Sequence, residues 1–339
     1  MPGDSMFCSS DYIGLDIGNH NIKVVHLSKC RGRIKVKYFL SIPNPLKGKS
    51  GSREERREVL ARTLAPLRGH LKNRKVIVGV PGDRVLFRNL HFPRMRLSEL
   101  KEVVYWETRE LIGQLNGDYI LDFEVVEENR DDYRVLIAAA LKENVMDYFY
   151  PVEKAGLFPE ALDVYPLAIS RVVGSCLVRS NLAVVNIGAK RTDVTVLEGG
   201  RVYFNGCIPF GSEYMTKLIA RTFSVDENTA ESIKIDPGNL RSPIMECLYP
   251  AVQQLAIEVS RYLKFYAVQR KDQRIGAILL AGGGGKLWCL QEVFGNVMNI
   301  EMLTAEDLDF PKITVEEKKG ERFDKMEFLC ALGFALRGV

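Results

Sequence analysis

The sequence predicts a two-domain α/β fold in which two duplicated βββαβα halves face each other across a cleft. Three observations carry that expectation: the length, a repeat at constant offset, and glycine turns placed after buried strands. The 339 residues, 46% of them hydrophobic, exceed one compact core and suit two α/β domains of ordinary size.

The repeat aligns without a gap. Gly14-Leu-Asp-Ile-Gly18, running on through Asn19 to Leu27, matches Val184-Val-Asn-Ile-Gly188, running on through Ala189 to Leu197, 170 residues later (184 − 14). In each copy a short apolar run (Tyr12 to Leu15; Leu182 to Val185) meets a polar residue, a glycine and a polar turn. A second run follows (Ile22 to Leu27; Asp193 to Leu197). A further glycine turn (Arg31-Gly32-Arg33; Glu198-Gly199-Gly200-Arg201) leads to a third run, Ile34 to Leu40 or Val202 to Cys207. Each half therefore opens as a three-stranded antiparallel meander. Each then continues through a helix into a β-branched strand that ends in glycine, Lys75 to Gly82 in one half and Ile278 to Gly285 in the other.

Composition excludes several classes. No run of about 18 uncharged apolar residues is present, and Met1 to Ser10 lacks a charged segment followed by an apolar one, so a cytosolic protein with neither membrane span nor secretion signal is expected. The seven cysteines (Cys8, Cys30, Cys176, Cys207, Cys247, Cys289, Cys330) are scattered and never spaced as CxxC, which fits reduced structural thiols. The four histidines share no metal-ligand spacing with cysteines or carboxylates. A net charge of +4 does not argue for nucleic acid. Lys47 to Lys75 carries ten basic residues against three acidic ones, which reads either as a face for an anionic surface or as a solvated helix with i,i+4 pairs.

The glycine turns suggest a polyphosphate site. A turn of the form Asp-x-Gly followed by small or polar residues offers backbone N–H groups with no obstructing Cβ, so Gly18 with Asn19, His20 and Asn21, and Gly188 with Ala189 and Lys190, are candidate phosphate contacts. Asp16 at the strand end is placed to hold the water shell of Mg²⁺, and Lys23 on the next strand to reach the phosphates. Gly282, Gly283 and Gly284 follow a buried strand and precede a helix-like segment, Lys286 to Phe294, so they can pack against an adenosine beside a helix N-terminus. Gly211 and Ser212 open another helix, Ser212 reading as its cap or as a phosphate neighbour. Glu258 and Arg261 lie three apart within the helical Val252 to Gln269 segment, where they bracket a ribose and base or simply pair with each other. His20 is either a phosphate donor or a solvent-facing turn residue. Neither a P-loop nor a Gly-x-Gly-x-x-Gly turn after a strand occurs.

On these residues the chain resembles the actin, FtsA and heat-shock chaperone superfamily. Gly14-Leu-Asp-Ile-Gly18 with Lys23, Asn186-Ile-Gly-Ala189 with Thr192-Asp193, and Leu280-Ala-Gly-Gly-Gly284 correspond to its two phosphate motifs and its adenosine motif. Within it the wording of whole segments is most similar to the PilM-type pilus assembly family, notably Val80-Pro-Gly82, Leu136 to Lys142, Asp163 to Ala168 and Glu258 to Tyr266. The resemblance implies an actin-like fold that closes on ATP or ADP with Mg²⁺. It divides the chain into a first domain (residues 1–83, 147–179 and 320–339), an inserted FtsA-like subdomain (84–146) and a second domain (180–319) with a helical insertion around 212–272. The insert should hold strands Val85 to Leu90, Leu121 to Glu127 and Tyr133 to Ala140, and a helix Ser98 to Leu111 capped by Ser98.

The same resemblance implies partners: the cytoplasmic tail of a PilN-like inner-membrane protein, held in a groove near Val103, Val104, Trp106 and Leu111, and other proteins of the pilus inner-membrane complex. It allows self-association, and it implies a cytoplasmic location tied peripherally to the inner membrane. Two departures matter. Asn186 stands where the superfamily carries an Asp and cannot act as a base, so hydrolysis should be slow or absent. Asn19-His20-Asn21 replaces small hydroxyl residues. A sugar or acetate kinase-like function is the first alternative, which Asn186 disfavours. An FtsA-like filament protein is the second; it wants a membrane-binding C-terminal helix, whereas the stripe from Phe323 to Leu336 is expected to pack back on the first domain.

Overall fold

The computed structural model describes residues 10–71, 74–112, 117–176, 181–270, 273–317 and 321–339; Cys8 and the opening segment, and the Leu111 side chain, lie outside the described set. Apolar alternation broken by glycine turns gives the first meander: β1 (Ser10–Ile17), β2 (Asn21–Cys30) and β3 (Arg33–Pro43) pair antiparallel, with Asp16 opposite Lys23. α1 (Arg53–Leu64) starts at Ser52, whose hydroxyl accepts from the Glu55 N–H while the Glu55 carboxylate answers the Ser52 N–H. The short α2 (Arg68–Leu71) leads to β4 (Lys75–Val80), parallel to β1.

An inserted unit follows: β5 (Val85–Pro93), α3 (Leu97–Ile112), β6 (Tyr119–Glu128) and β7 (Asp132–Leu141), its three strands ordered β5-β7-β6. Leu100 and Val104 of α3 bury against Val135 and Ile137. α3 begins at Leu97, so Ser98 is inside the first turn rather than its cap; the Leu100 N–H bonds the Arg96 carbonyl at 2.9 Å. α4 (Lys142–Lys154), β8 (Phe158–Val164) and α5 (Tyr165–Cys176) complete the first half.

The second meander is β9 (Asn181–Ile187), β10 (Thr192–Glu198) and β11 (Arg201–Ile208), with Asn186 opposite Asp193. α6 (Ser212–Phe223), α7 (Glu227–Ile235) and α8 (Arg241–Gln269) come next, then β12 (Ala277–Ala281), α9 (Leu290–Met298), β13 (Glu301–Thr304), β14 (Ile313–Val315) and α10 (Lys325–Ala335). Among the described residues the first half forms a six-stranded sheet, β14-β3-β2-β1-β4-β8, and the second a five-stranded one, β11-β10-β9-β12-β13. Each half thus runs one strand past βββαβα: β8 and β13 add in parallel after their crossover helices. β14 crosses back to pair with β3 of the first sheet.

The core explains how the two halves meet. α5 and α10 lie between the sheets, and one hydrophobic cluster joins Val25 and Ile77 of the first, Val184 and Leu279 of the second, and Ile169, Leu332 and Phe334 of the helices. α10 is buried from Phe328 to Ala335, so it packs back on the first half and has no free apolar face. β1 approaches it so closely that a Cβ on Gly14 would lie 1.8 Å from the Ala331 carbonyl oxygen. The insert reaches across to the second half: Arg134 Nη1 donates to the Val202 carbonyl (3.3 Å) and Arg201 Nη1 to that of Val126 (2.7 Å).

Candidate functional site

Strand ends β1 and β9 point their turns into one cavity of about 280 Å³. Asp16, Gly18, Asn19, His20, Asn21 and Lys23 line it from the first turn, and Asn186, Gly188 and Ala189 from the second. Ser212 and Gly282, Gly283 and Gly284 complete the side formed by the second half. The duplicated segments, 170 residues apart in the chain (184 − 14), therefore share a crevice.

Other expected residues fall elsewhere. Lys190 is exposed on its turn. Glu258 and Arg261 bond each other at 2.5 Å on α8, away from the cavity lining, with the Arg261 side chain 67% exposed. Gly211 supports the site from behind: a Cβ there would lie 2.4 Å from the Ala189 carbonyl oxygen. Gly211, not Ser212, is the N-cap of α6, and the Ser212 hydroxyl caps nothing. The Ser212 and Glu213 N–H groups donate to the Gly188 and Ala189 carbonyls at 2.9 and 2.8 Å, so this helix start is spent on holding the turn. The glycine run is not followed at once by a helix: Gly283 to Lys286 forms a 3₁₀ turn and α9 begins at Leu290. Gly282 has φ +85°, and a Cβ there would lie 2.6 Å from Asn186 Oδ1, whereas Gly283 faces open space.

The polar groups are organised in pairs. Buried Asp16 accepts from the Tyr165 hydroxyl and lies 3.6 Å from Lys23 Nζ. Asn186 Nδ2 approaches Cys330 Sγ at 3.6 Å. Arg191 Nη1 donates to Asp83 Oδ1 at 2.6 Å, its Nε lies 3.4 Å from Asp193 Oδ2, and the guanidinium sits over the Tyr165 ring. Asp193 is 3% exposed and its Oδ1 has no hydrogen-bond partner; burial pushes its carboxyl up, against the pull of Arg191. Glu327 of α10 accepts from Asn21 Nδ2 (3.0 Å), Ser41 Oγ (2.9 Å) and Lys286 Nζ (3.3 Å). Burial pushes that carboxyl up, but these donors outweigh it and hold it below its ordinary range.

His20 lines the cavity with both ring nitrogens near neighbours of its own turn region. Lys47 Nζ lies 2.7 Å from its Nε2 and Asn21 Oδ1 lies 3.1 Å from its Nδ1. An ammonium only donates, so Nε2 accepts and Nδ1 carries the proton: both ring nitrogens are engaged within the turn. On α7, Glu231 accepts from Thr216 (2.6 Å) and from buried Lys234 (2.7 Å), an i,i+3 pair that lies against the cavity as Glu258 and Arg261 do not. Among the described residues no group of three or more His, Cys, Asp and Glu side chains is arranged to hold a metal ion.

Tyr165, Arg191, Glu231, Lys286 and Glu327 are cavity or cavity-wall residues that sequence reasoning did not single out, and Asp193 entered it only as part of the second phosphate motif. For two of them a signal existed. The constant offset makes Asp193 the counterpart of Lys23 and Arg191 that of Asn21.

Two duplicated halves around a cleft, with α5 and α10 between their sheets, define an actin-like fold. The chain belongs to the family of the type IV pilus assembly protein PilM, whose model matches residues 14–339. A chain of a solved PilM–PilN type IV pilus biogenesis complex is similar at 26% identity and TM-score 0.81, over 96% of this chain and 98% of that one. The ethanolamine utilization protein EutJ from Carboxydothermus hydrogenoformans shares the fold, at 16% identity, TM-score 0.57 and coverage of 98% and 91%. The cell division protein FtsA of Streptococcus pneumoniae is 22% identical over 339 residues, 84% of this chain and 74% of that protein.

Proposed function

We propose that this type IV pilus assembly protein is a cytoplasmic, nucleotide-binding scaffold that holds the tail of a PilN-like inner-membrane protein. The partner reading rests on the likeness to the solved PilM–PilN complex over nearly the whole chain. Among the described residues no helix is long and apolar enough to cross a membrane, so attachment would run through the partner. The inserted unit offers a place for the tail: Leu97, Val103, Tyr105 and Trp106 of α3 are exposed, and Tyr105, Trp106, Ile112 and Leu121 line a concavity of about 880 Å³. Val104, by contrast, is fully buried core. An extended apolar tail has both anchor pockets and nearby strand edges to use.

The observation that supports ATP or ADP is the convergence of both glycine turns and Gly282 to Gly284 on one cavity. The residues fit such a ligand. Gly282 and Gly284 pack where a Cβ would strike Ile187, Gly283 faces open space, and Asp193 has a buried carboxylate oxygen without a partner. Among the described residues the lining holds six carboxylates against four cations, so a polyphosphate would need a divalent ion. Asp16 and Asp193 would hold Mg²⁺ through water, Lys23 and the turn backbones the phosphates, and Glu231 a ribose hydroxyl. The ion would neutralise phosphate charge. Asn186 gives no base, so hydrolysis is slow or absent.

A PilN-like tail peptide titrated into the protein should give saturable binding with a change in Trp106 fluorescence, and Trp106→Ala should weaken it about tenfold or more. Absence of saturable binding removes the partner reading. Phosphate release from ATP with candidate sugars should stay at background; turnover would favour the kinase alternative.

A further inference from the structure

Of the cavity's four cations among the described residues, three have partners that stay within the cleft region. Lys23 faces Asp16, Lys47 faces His20, and Lys286 faces Asp324 and Glu327. Arg191 differs: its shortest bond, 2.6 Å, goes to Asp83, whose side chain is 43% exposed while that of Arg191 is 14% exposed. Asp83 belongs to the 3₁₀ turn Gly82–Arg84 that enters β5 of the insert. That turn sits tightly on the second half, since a Cβ on Gly82 would lie 2.8 Å from Asp193 Oδ1. Arg191 is thus a bridge from the second glycine turn to the root of the inserted unit.

We propose that Arg191 discriminates between nucleotide states: it moves from Asp83 to the terminal phosphate of a bound triphosphate and thereby unlatches the insert. The inference rests on the nucleotide reading above. The guanidinium carries five N–H donors, and its Nη2 finds no partner among the described residues although the side chain lines the cavity. Its forked donors suit a phosphate better than a single carboxylate oxygen. Release costs little at the other end, because half-exposed Asp83 regains water, whereas the buried partners Asp16 and Asp193 would not. A diphosphate lacks the group that competes with Asp83, so the latch stays closed. The exchange swaps one ion pair for another and needs no covalent bond to be made or broken.

The test compares the full chain with Arg191→Met, which keeps the apolar stem, and Asp83→Asn, which keeps the turn but weakens the competitor. Affinities for ADP and for a non-hydrolysable ATP analogue are measured by calorimetry, and amide exchange is followed over Val85–Pro93. Wild type should prefer the triphosphate, Arg191→Met should lose about tenfold or more of that preference, and Asp83→Asn should bind the analogue several-fold tighter. The analogue should speed exchange of Val85–Pro93 in wild type, and Asp83→Asn should show that faster exchange without ligand. An unchanged preference in Arg191→Met overturns this inference alone. Failure of the wild-type chain to bind either nucleotide overturns the nucleotide reading, and this inference with it.

Discussion

The two glycine turns join strands in the same register, yet they balance charge differently. In the first, Asp16 and Lys23 face each other across β1 and β2, 3.6 Å apart. In the second the same positions hold Asn186 and Asp193, and the cation has moved to the turn as Arg191. The first copy sums to zero, whereas Lys190 and Arg191 against Asp193 leave the second at +1 (2 − 1). The duplication therefore keeps register while letting the charged positions drift, and the drift is what ties Arg191 to the insert. The copies also differ in packing: Gly14 is pressed against α10, whereas its counterpart by offset, Val184, keeps a full side chain in the core.

The packing difference gives the largest expected effect. Gly14→Val places a side chain where backbone atoms of Ala331 and Ala335 already stand, at 1.8 and 2.6 Å from the Cβ, and backbone cannot rotate aside. The variant should lose roughly 3 kcal/mol or more, read as a lower denaturation midpoint. A loss under about 1 kcal/mol would mean that β1 and α10 are not in the close contact described.

Restoring the acid of the first copy in the second should come next. Asn186→Asp sets a carboxylate directly across the strands from buried Asp193, without the lysine that answers Asp16. Roughly 2 kcal/mol of destabilisation is expected at pH 8, shrinking as acid lets the pair share a proton. An equal loss at pH 8 and pH 5 would show that repulsion between the two carboxylates is not its cause.

Much of this was legible because it is local. Apolar runs cut by glycine gave both meanders, and the constant offset alone placed Asp16 and Asn186 at one cavity. What escaped reading was supplied by distant helices. Tyr165 bonds Asp16 from 149 residues away and Glu327 bonds Asn21 from 306, and no spacing rule links such pairs. Ser212 lines the cavity but is not a cap: extended Gly211 lets the turn press onto α6, so carbonyls take the N–H groups that its hydroxyl was expected to meet.

Glu327 sharpens the comparison through pH. It anchors the first turn through Asn21 as Arg191 anchors the second, and its folded-state carboxyl lies below the ordinary 4.5. A depressed pKa contributes stability that is present above 4.5 and lost as pH falls through the folded value. Glu327→Gln should therefore cost about 1 kcal/mol near pH 7 and nothing once both states are protonated, so its acid unfolding curve should be flatter than that of wild type. Asp193 works with the opposite sign. Its raised carboxyl takes up a proton in the folded state first, so Asp193→Asn should remove a gain in stability on acidification.

The smallest effect belongs to the pair that sequence spacing brought forward. Glu258 and Arg261 sit three apart on α8, and the same spacing on α7 gives Glu231 and Lys234. Spacing fixes only that two side chains share a helix face; which face it is depends on how the helix packs. Lys234 is 4% exposed beside the cavity, while the Arg261 side chain is 67% exposed in solvent. Glu258→Ala and Arg261→Ala should each change stability by less than about 0.5 kcal/mol and leave nucleotide affinity unchanged. Glu231→Ala strands a buried ammonium and should lower both. Calorimetric titration of ADP against the three variants separates the pairs, and a loss of affinity in Arg261→Ala would place α8, not α7, at the site.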